Sequence, residues 1–200
     1  EPLVQPAEPE GVDVEGIVRG IHKVSEGGDH ELRVQLLASG VGLPWVIDAQ
    51  RMLAEDWGIG ADVWSVTSWT ELRRDALAAD EHNFLHPQEE QRVPFVTARL
   101  SEAEGPFVAT SDHMHAVADQ IRQWVPGDYL TLGADDFGFS DTRPAARRYF
   151  HIDSHSVVVR ALEGLARQGK VPLGTVQQAI DKYSLHDVTA GTSGTAGGES

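Results

Sequence analysis

The chain is 200 residues long, 40% apolar, 24% charged and 7% aromatic, the balance of a globular protein that as one unit buries about 70% of its unfolded surface. It contains no cysteine, which excludes disulfides, cysteine-ligated metals and thiol catalysis, and its longest apolar runs, Val157-Val158-Val159 and Ala76-Leu77-Ala78-Ala79, fall far short of the roughly 20 residues of a membrane span. Thirty-one acidic residues against 16 basic ones give a formal charge of −15, which repels polyphosphate and argues against a nucleic-acid or anionic-membrane partner.

Residues 1–30 carry Pro2, Pro6, Pro9, Gly11, Gly16, Gly20 and Gly27-Gly28 with little periodic apolar signal, and read as a linker entering a domain. From Arg33 short apolar runs alternate with amphipathic segments, the pattern of βαβ units building a parallel sheet. Val34–Ser39 is the first expected strand. After Gly40-Val41-Gly42 a helix follows in which Val46, Ala49, Leu53 and Trp57 recur every three or four residues, with Gly58 and Gly60 as stops. Val63–Thr67 is a second strand, and Ser68-Trp69-Thr70-Glu71 has capping-box spacing for the next helix, through Leu72 and Leu77. Ser101-x-x-Glu104 has the same spacing but runs into Gly105-Pro106 and is read as chance. A polar loop is expected at 80–91. Phe107–Thr110 is the third strand, followed by a helix from Asp112 whose stripe is Met114, Val117, Ala118, Ile121 and Val125. Tyr129–Leu132 is the fourth strand, and a loop of small and acidic residues runs from Gly133 to Asp141. Two amphipathic helices finish the fold. One is capped by Asp153 or Ser154, with Val158, Ala161, Leu162 and Leu165 inward; the other follows Pro172 and carries Val176, Ala179, Ile180 and Tyr183. Residues 188–200 are Gly, Thr, Ser and Ala-rich and read as a disordered tail. The domain is thus expected at 31–187.

Each candidate for chemistry has a plainer structural reading. Gly40-Val41-Gly42 stands where α/β proteins seat phosphate on a helix N-terminus, but the third glycine of a dinucleotide fingerprint is replaced by Trp45, and a tight strand-to-helix turn accounts for the pair. His113 and His115 cannot share an ion on one helix, because two residues turn about 200°. His82 and His86 are four apart among Asp80, Glu81, Glu89 and Glu90, a plausible ligand set on paper, yet Pro87 and the polar loop argue against a common helical face. His151 and His155 bracket Asp153 at a helix entrance, where capping is the simpler role. Asp135, Asp136 and Asp141 lie at the carboxyl end of a strand, where a carboxylate pair can do acid–base work, but turn formation explains them and no histidine or nucleophile accompanies them in sequence. Arg143, Arg147 and Arg148 form the largest basic cluster, read as a solvated helix face or an interdomain ion pair before an anion grip.

A resemblance emerges at Leu132-Gly133-Ala134-Asp135-Asp136-Phe137-Gly138-Phe139-Ser140-Asp141-Thr142-Arg143, followed by Phe150-His151-Ile152-Asp153. This resembles the Gly-x-Asp-x-Phe-Gly-x-Ser-Asp-x-Arg signature in the C-terminal domain of the homodimeric bacterial pyruvate dehydrogenase decarboxylating component. Further stretches agree in the same order, among them Asp62-Val63-Trp64-Ser65-Val66-Thr67-Ser68, Leu85-His86-Pro87, Arg92-Val93-Pro94 and Val157-Val158-Val159. The similarity runs from about Pro9 to Tyr183, and its collinearity carries it. Three positions depart from the pattern: Asp136 stands for glycine, Phe139 for arginine and His151 for an acidic residue.

The resemblance implies a three-layer α/β sandwich with a mostly parallel sheet, like the transketolase C-terminal domain. It implies a parent enzyme that decarboxylates pyruvate on thiamine diphosphate with Mg2+ and passes the acetyl unit to the lipoyl group of an acetyltransferase. In that family cofactor, metal and acid–base residues belong to preceding domains, so no catalytic, cofactor-binding or metal residue is assigned to this chain. Expected partners are the remainder of the parent chain, a second copy in a homodimer, and the lipoyl-bearing acetyltransferase, in the cytoplasm. The opening at Glu1 without a start methionine fits a piece of something longer. Three alternatives stay open: another transketolase-like thiamine enzyme, an autonomous module binding an anion at Gly40–Gly42 or near Arg143, and a hydrolase using the Asp135 loop.

Overall fold

A computed structural model describes residues 11–190. In chain order the elements are α1 (Val14–Arg19), β1 (His22–Ser25), β2 (Leu32–Ala38), α2 (Leu43–Trp57), β3 (Ile59–Ser65), α3 (Trp69–Leu85), α4 (Phe95–Leu100), β4 (Phe107–Thr110), α5 (His115–Asp119), β5 (Tyr129–Leu132), α6 (Arg143–Tyr149), α7 (Ser154–Arg167) and α8 (Leu173–Lys182). The five strands form one sheet in the order β1-β3-β2-β4-β5. Four are parallel, and β1 alone runs antiparallel, against β3.

Side chains alternate across a strand, and here the alternation builds two cores. Val34, Leu36 and Ala38 of β2, Val63 of β3, Val108 of β4 and Leu130 of β5 face one way, onto Val46, Ala49 and Leu53 of α2, Val158 and Leu162 of α7 and Ala179 of α8. Leu37, Trp64, Phe107, Ala109 and Tyr129 face the other way, onto Leu72 and Ala76 of α3, Val96 and Leu100 of α4 and Ala118 of α5. Helices therefore cover both faces, and the three-layer sandwich with a mostly parallel sheet is the architecture the resemblance implies. Each fully buried Leu or Val contributes about 1.5–3 kcal/mol. Gln35 of β2 is buried with both ends satisfied, accepting from Trp64 Nε1 at 2.8 Å and donating to the Glu104 carbonyl at 2.9 Å.

Several elements differ from the sequence reading. Residues 11–30, read as linker, contain α1 and an edge strand of the sheet; their helix is too short to show a period, and Asp13 caps it by accepting from Gly16 N–H at 2.9 Å. β3 begins at Ile59, four residues before the expected strand, and runs through Gly60. The reason is a close backbone crossing. A Cβ on Gly27 would sit 2.2 Å from Ala61 N and one on Gly60 2.6 Å from the Gly27 carbonyl, so these glycines let the lead-in cross the start of β3. α3 continues to Leu85 through half of the expected polar loop. The helix placed at Asp112 starts at His115 and is short, followed by a 3-10 turn at Arg122–Trp124. Of the tail, Val188–Ala190 form a 3-10 turn whose last carbonyl accepts from Arg148; 191–200 lie outside the described residues.

Candidate functional site

In an open parallel sheet, ligands sit at the carboxyl ends of the strands where the winding direction reverses. Here the chain leaves β2 toward β3 on one side and reaches β4 on the other, so the reversal lies between Ser39 and Ser111. These residues meet: Ser39 Oγ lies 3.4 Å from Ser111 Oγ, which accepts from His113 N–H at 3.1 Å. The Gly40–Gly42 segment is a single 3-10 turn leading into α2, whose first turn contains Pro44. That is the tight strand-to-helix turn of the plainer reading.

The three aspartates at this edge are held by neighbours. Asp135 accepts from the backbone N–H of His115 at 2.8 Å and meets His115 Nδ1 at 2.7 Å. The backbone donor first, and the imidazole second, hold its carboxyl below the ordinary range, so it stays ionised and is unsuited to be a proton donor near neutrality. Asp136 accepts from Phe137 N–H and from Tyr149 Oη at 3.2 Å, and Asp141 accepts from Thr142 N–H at 2.6 Å. Phe139 stacks on Tyr149 with centroids 4.4 Å apart. The loop is thus stitched by its own carboxylates to α5 and α6.

A histidine does accompany Asp135, which the linear reading missed because the two are 20 residues apart. The signal was present in the strand register: Thr110 of β4 pairs with Leu132 of β5, so residues just past both strands fall side by side. The other histidines take structural places. His82 lies on α3 and His86 caps it, so Pro87 does not break their common face as expected; the rings stack at 4.8 Å, and His86 Nδ1 reaches Glu89 at 3.1 Å. Among the described residues, however, no group of three or more His, Asp or Glu is placed to hold an ion. Asp153 is the cap of α7, accepting from Ser156 N–H at 3.0 Å and Ser156 Oγ at 2.6 Å. His155 stacks on Tyr183 at 4.5 Å.

The arginine cluster is not one solvated face. Arg147 lies over the Trp45 ring at 5.1 Å. Arg148 is fully buried, pairing with Asp153 at 2.7 Å and donating to the Tyr183 and Ser184 carbonyls and to Nδ1 of His155. Of the three, only Arg143, the first residue of α6, is exposed at the edge. An anion grip by the trio is therefore dismantled by packing.

The comparisons agree with this geometry. The family described as Transketolase-like TK C-terminal domain matches residues 20–153. The chain belongs to that family. Among curated relatives, the pyruvate dehydrogenase E1 component of Mycolicibacterium smegmatis is 51% identical over 191 residues, covering 95% of this chain and 21% of the relative. That of Corynebacterium glutamicum is 48% identical over 190 residues, covering 95% and 21%, and that of Escherichia coli K12 is 44% identical over 181, covering 90% and 20%. The chain thus spans about a fifth of the length of these relatives, in their C-terminal region. Among solved structures, transketolase from Leishmania mexicana matches with TM-score 0.51 at 18% identity, covering 79% of this chain and 20% of that one. A split-gene transketolase described as an inactive β4 tetramer matches with TM-score 0.52 at 20% identity, covering 82% and 47%. These two show the shared fold.

Proposed function

We propose that this chain is the C-terminal domain of a pyruvate dehydrogenase E1 component, a thiamine diphosphate and Mg2+ enzyme that decarboxylates pyruvate and acetylates the lipoyl group of an acetyltransferase partner. The domain acts as a supporting and dimer-contact lobe, in a cytoplasmic homodimer. The observation that carries the reading is the 51% identity over 95% of the chain to the M. smegmatis enzyme.

The reading leaves the coenzyme to the rest of the parent chain. A diphosphate–metal site needs convergent oxygen ligands around one ion, and among the described residues no group of three or more His, Asp or Glu is placed to hold one. The carboxylates at the sheet's ligand edge are engaged by His115, Phe137, Tyr149 and Thr142. No step of the decarboxylation is assigned to this chain. What its residues supply is shape: two cores clamp the sheet, and Arg148 ties α6, α7 and the residues after α8 together from within.

The test is an assay of the purified chain with pyruvate, thiamine diphosphate, Mg2+ and a dye acceptor, beside the intact M. smegmatis relative. The reading expects turnover from the intact enzyme and a blank rate from the chain. Sustained dye reduction by the chain alone refutes the supporting-lobe role.

A further inference from the structure

A guanidinium can only donate hydrogen bonds, and the buried Arg148 uses all three of its nitrogens. Nε donates to Asp153 at 2.7 Å, Nη1 to the Tyr183 and Ser184 carbonyls at 2.9 and 3.1 Å, and Nη2 to the Ala190 carbonyl at 3.3 Å and to Nδ1 of His155. Nδ1 must therefore be an acceptor, which makes His155 a neutral imidazole with its proton on Nε2. Its ring is held by stacking on Tyr183 at 4.5 Å, and Tyr183 Oη donates to Asp56 at 2.7 Å and accepts from Trp57 Nε1 at 2.9 Å. None of residues 184–190 is buried, so little apolar burial holds them to α6 and the guanidinium supplies the tie. Ser184 enters the segment at φ +47°, a strained conformation for a residue with a Cβ. Leu185 and His186 close one side of a recess of about 220 Å³ whose other walls include Leu132, Val159 and Arg160.

We propose that residues 184–190 are a strap latched by Arg148, and that protonation of His155 unlatches it and opens the recess beneath. A proton on Nδ1 sets donor against donor and cation against cation, so the imidazole and Nη2 of Arg148 must part. Nε keeps Asp153, whose other oxygen stays with Ser156 N–H and Oγ. What yields is the contact with the least burial behind it, and the Ser184 and Ala190 carbonyls exchange Arg148 for water. The charges around His155 come from three helices. Asp153 at the start of α7 and Asp56 of α2 favour the proton, Arg148 of α6 opposes it, and Lys182 of α8 is paired with Asp56 at 2.7 Å. On the strap itself, Asp187 is occupied by Thr189 N–H and Oγ1 at 2.9 and 2.7 Å, and His186 opposes a charge on His151. Burial, with Arg148 adding to it, keeps the latched His155 below the ordinary 6.5. The latch is therefore full above about pH 6.5 and weakens as pH falls below it, by at most about tenfold per pH unit for one proton. The device depends on contacts within this chain and stands apart from the proposed function.

The test is amide exchange of the 200-residue chain by NMR at pH 7.5 and 5.5, corrected for the intrinsic pH dependence of exchange. The reporters are the N–H groups of Asp187 and Ala190, which donate to the Ser184 and Asp187 carbonyls at 2.9 and 3.1 Å in single turns that do not persist once freed. Their protection should fall by about three- to tenfold between the two pH values, and dilute urea should leave it unchanged, as local opening requires. His155→Gln, which offers Arg148 an acceptor that does not titrate, removes the fall; His151→Gln and His186→Gln keep it. Should His155→Gln fail to fold, the midpoint of the fall in the unsubstituted chain is compared with the titration of each imidazole, and coincidence with His155 supports the latch. Protection that is equal at the two pH values overturns the proposal. So does a fall that survives in His155→Gln or tracks His151 or His186, and so does strap exchange that rises with urea as steeply as that of β2, because the opening is then global.

Discussion

Arg148 and Asp153 are the residues on which the C-terminal third turns. Both side chains are buried, and the ion pair between them is supplemented by the helix cap on one side and by three carbonyls and an imidazole on the other. Removing one member of such a pair strands the other charge, so Arg148→Ala is expected to cost about 3–5 kcal/mol in urea unfolding; a loss below about 1 kcal/mol contradicts the buried-pair account. Burial lowers the pKa of His22, His151 and His155 from the ordinary 6.5, with Arg148 adding to the effect at His151 and His155 and Asp153 opposing it. A histidine with a depressed folded pKa stays neutral in the fold while the unfolded chain takes the proton. Stability is therefore full above about 6.5 and falls as pH drops below it, toward the folded values. The urea midpoint should be lower at pH 5.5 than at pH 7.5, and His155→Gln should reduce that drop; a midpoint that stays flat or rises refutes the assignment.

At the scale of elements, caps and stops were legible because they are local. Ser68 does accept from Glu71 N–H at 3.1 Å, Asp153 does cap α7, and α2 does end at Gly58. Ser68→Ala is expected to lower stability by about 1 kcal/mol, measured by thermal unfolding, with no change in the dichroism of the folded state. β4 and β5 also fall where their apolar runs place them, since strands covered on both faces read as continuous apolar stretches. What was not legible depends on distant partners. β1 is an edge strand of mixed polarity that exists because β3 offers it backbone hydrogen bonds. The α3 helix outlasts its apolar stripe because Asp80 accepts from Trp124 Nε1 at 2.9 Å and Asn83 holds Arg92. The His115–Asp135 contact and the burial of Arg148 likewise arise from strand pairing and helix packing, to which charge counting along the chain is blind.

For the whole molecule, one glycine shows how tightly the sheet and its lead-ins are fitted. Gly105 has φ +87°, and a Cβ there would sit 1.8 Å from the Arg33 carbonyl oxygen, so Gly105→Ala must displace the entry of β2 or β4. It is expected to cost more than the roughly 1–3 kcal/mol of a strained backbone alone, read as a fall in the urea midpoint. On the proposed function, the two packed cores make a rigid lobe that works within a longer enzyme. The most direct measurement is pyruvate decarboxylation, with thiamine diphosphate and Mg2+ supplied, by three proteins: the M. smegmatis relative lacking its C-terminal region, the same protein with this chain grafted in its place, and this chain alone. The account predicts activity in the graft only. Turnover by the chain alone, or undiminished turnover by the truncated relative, would contradict it.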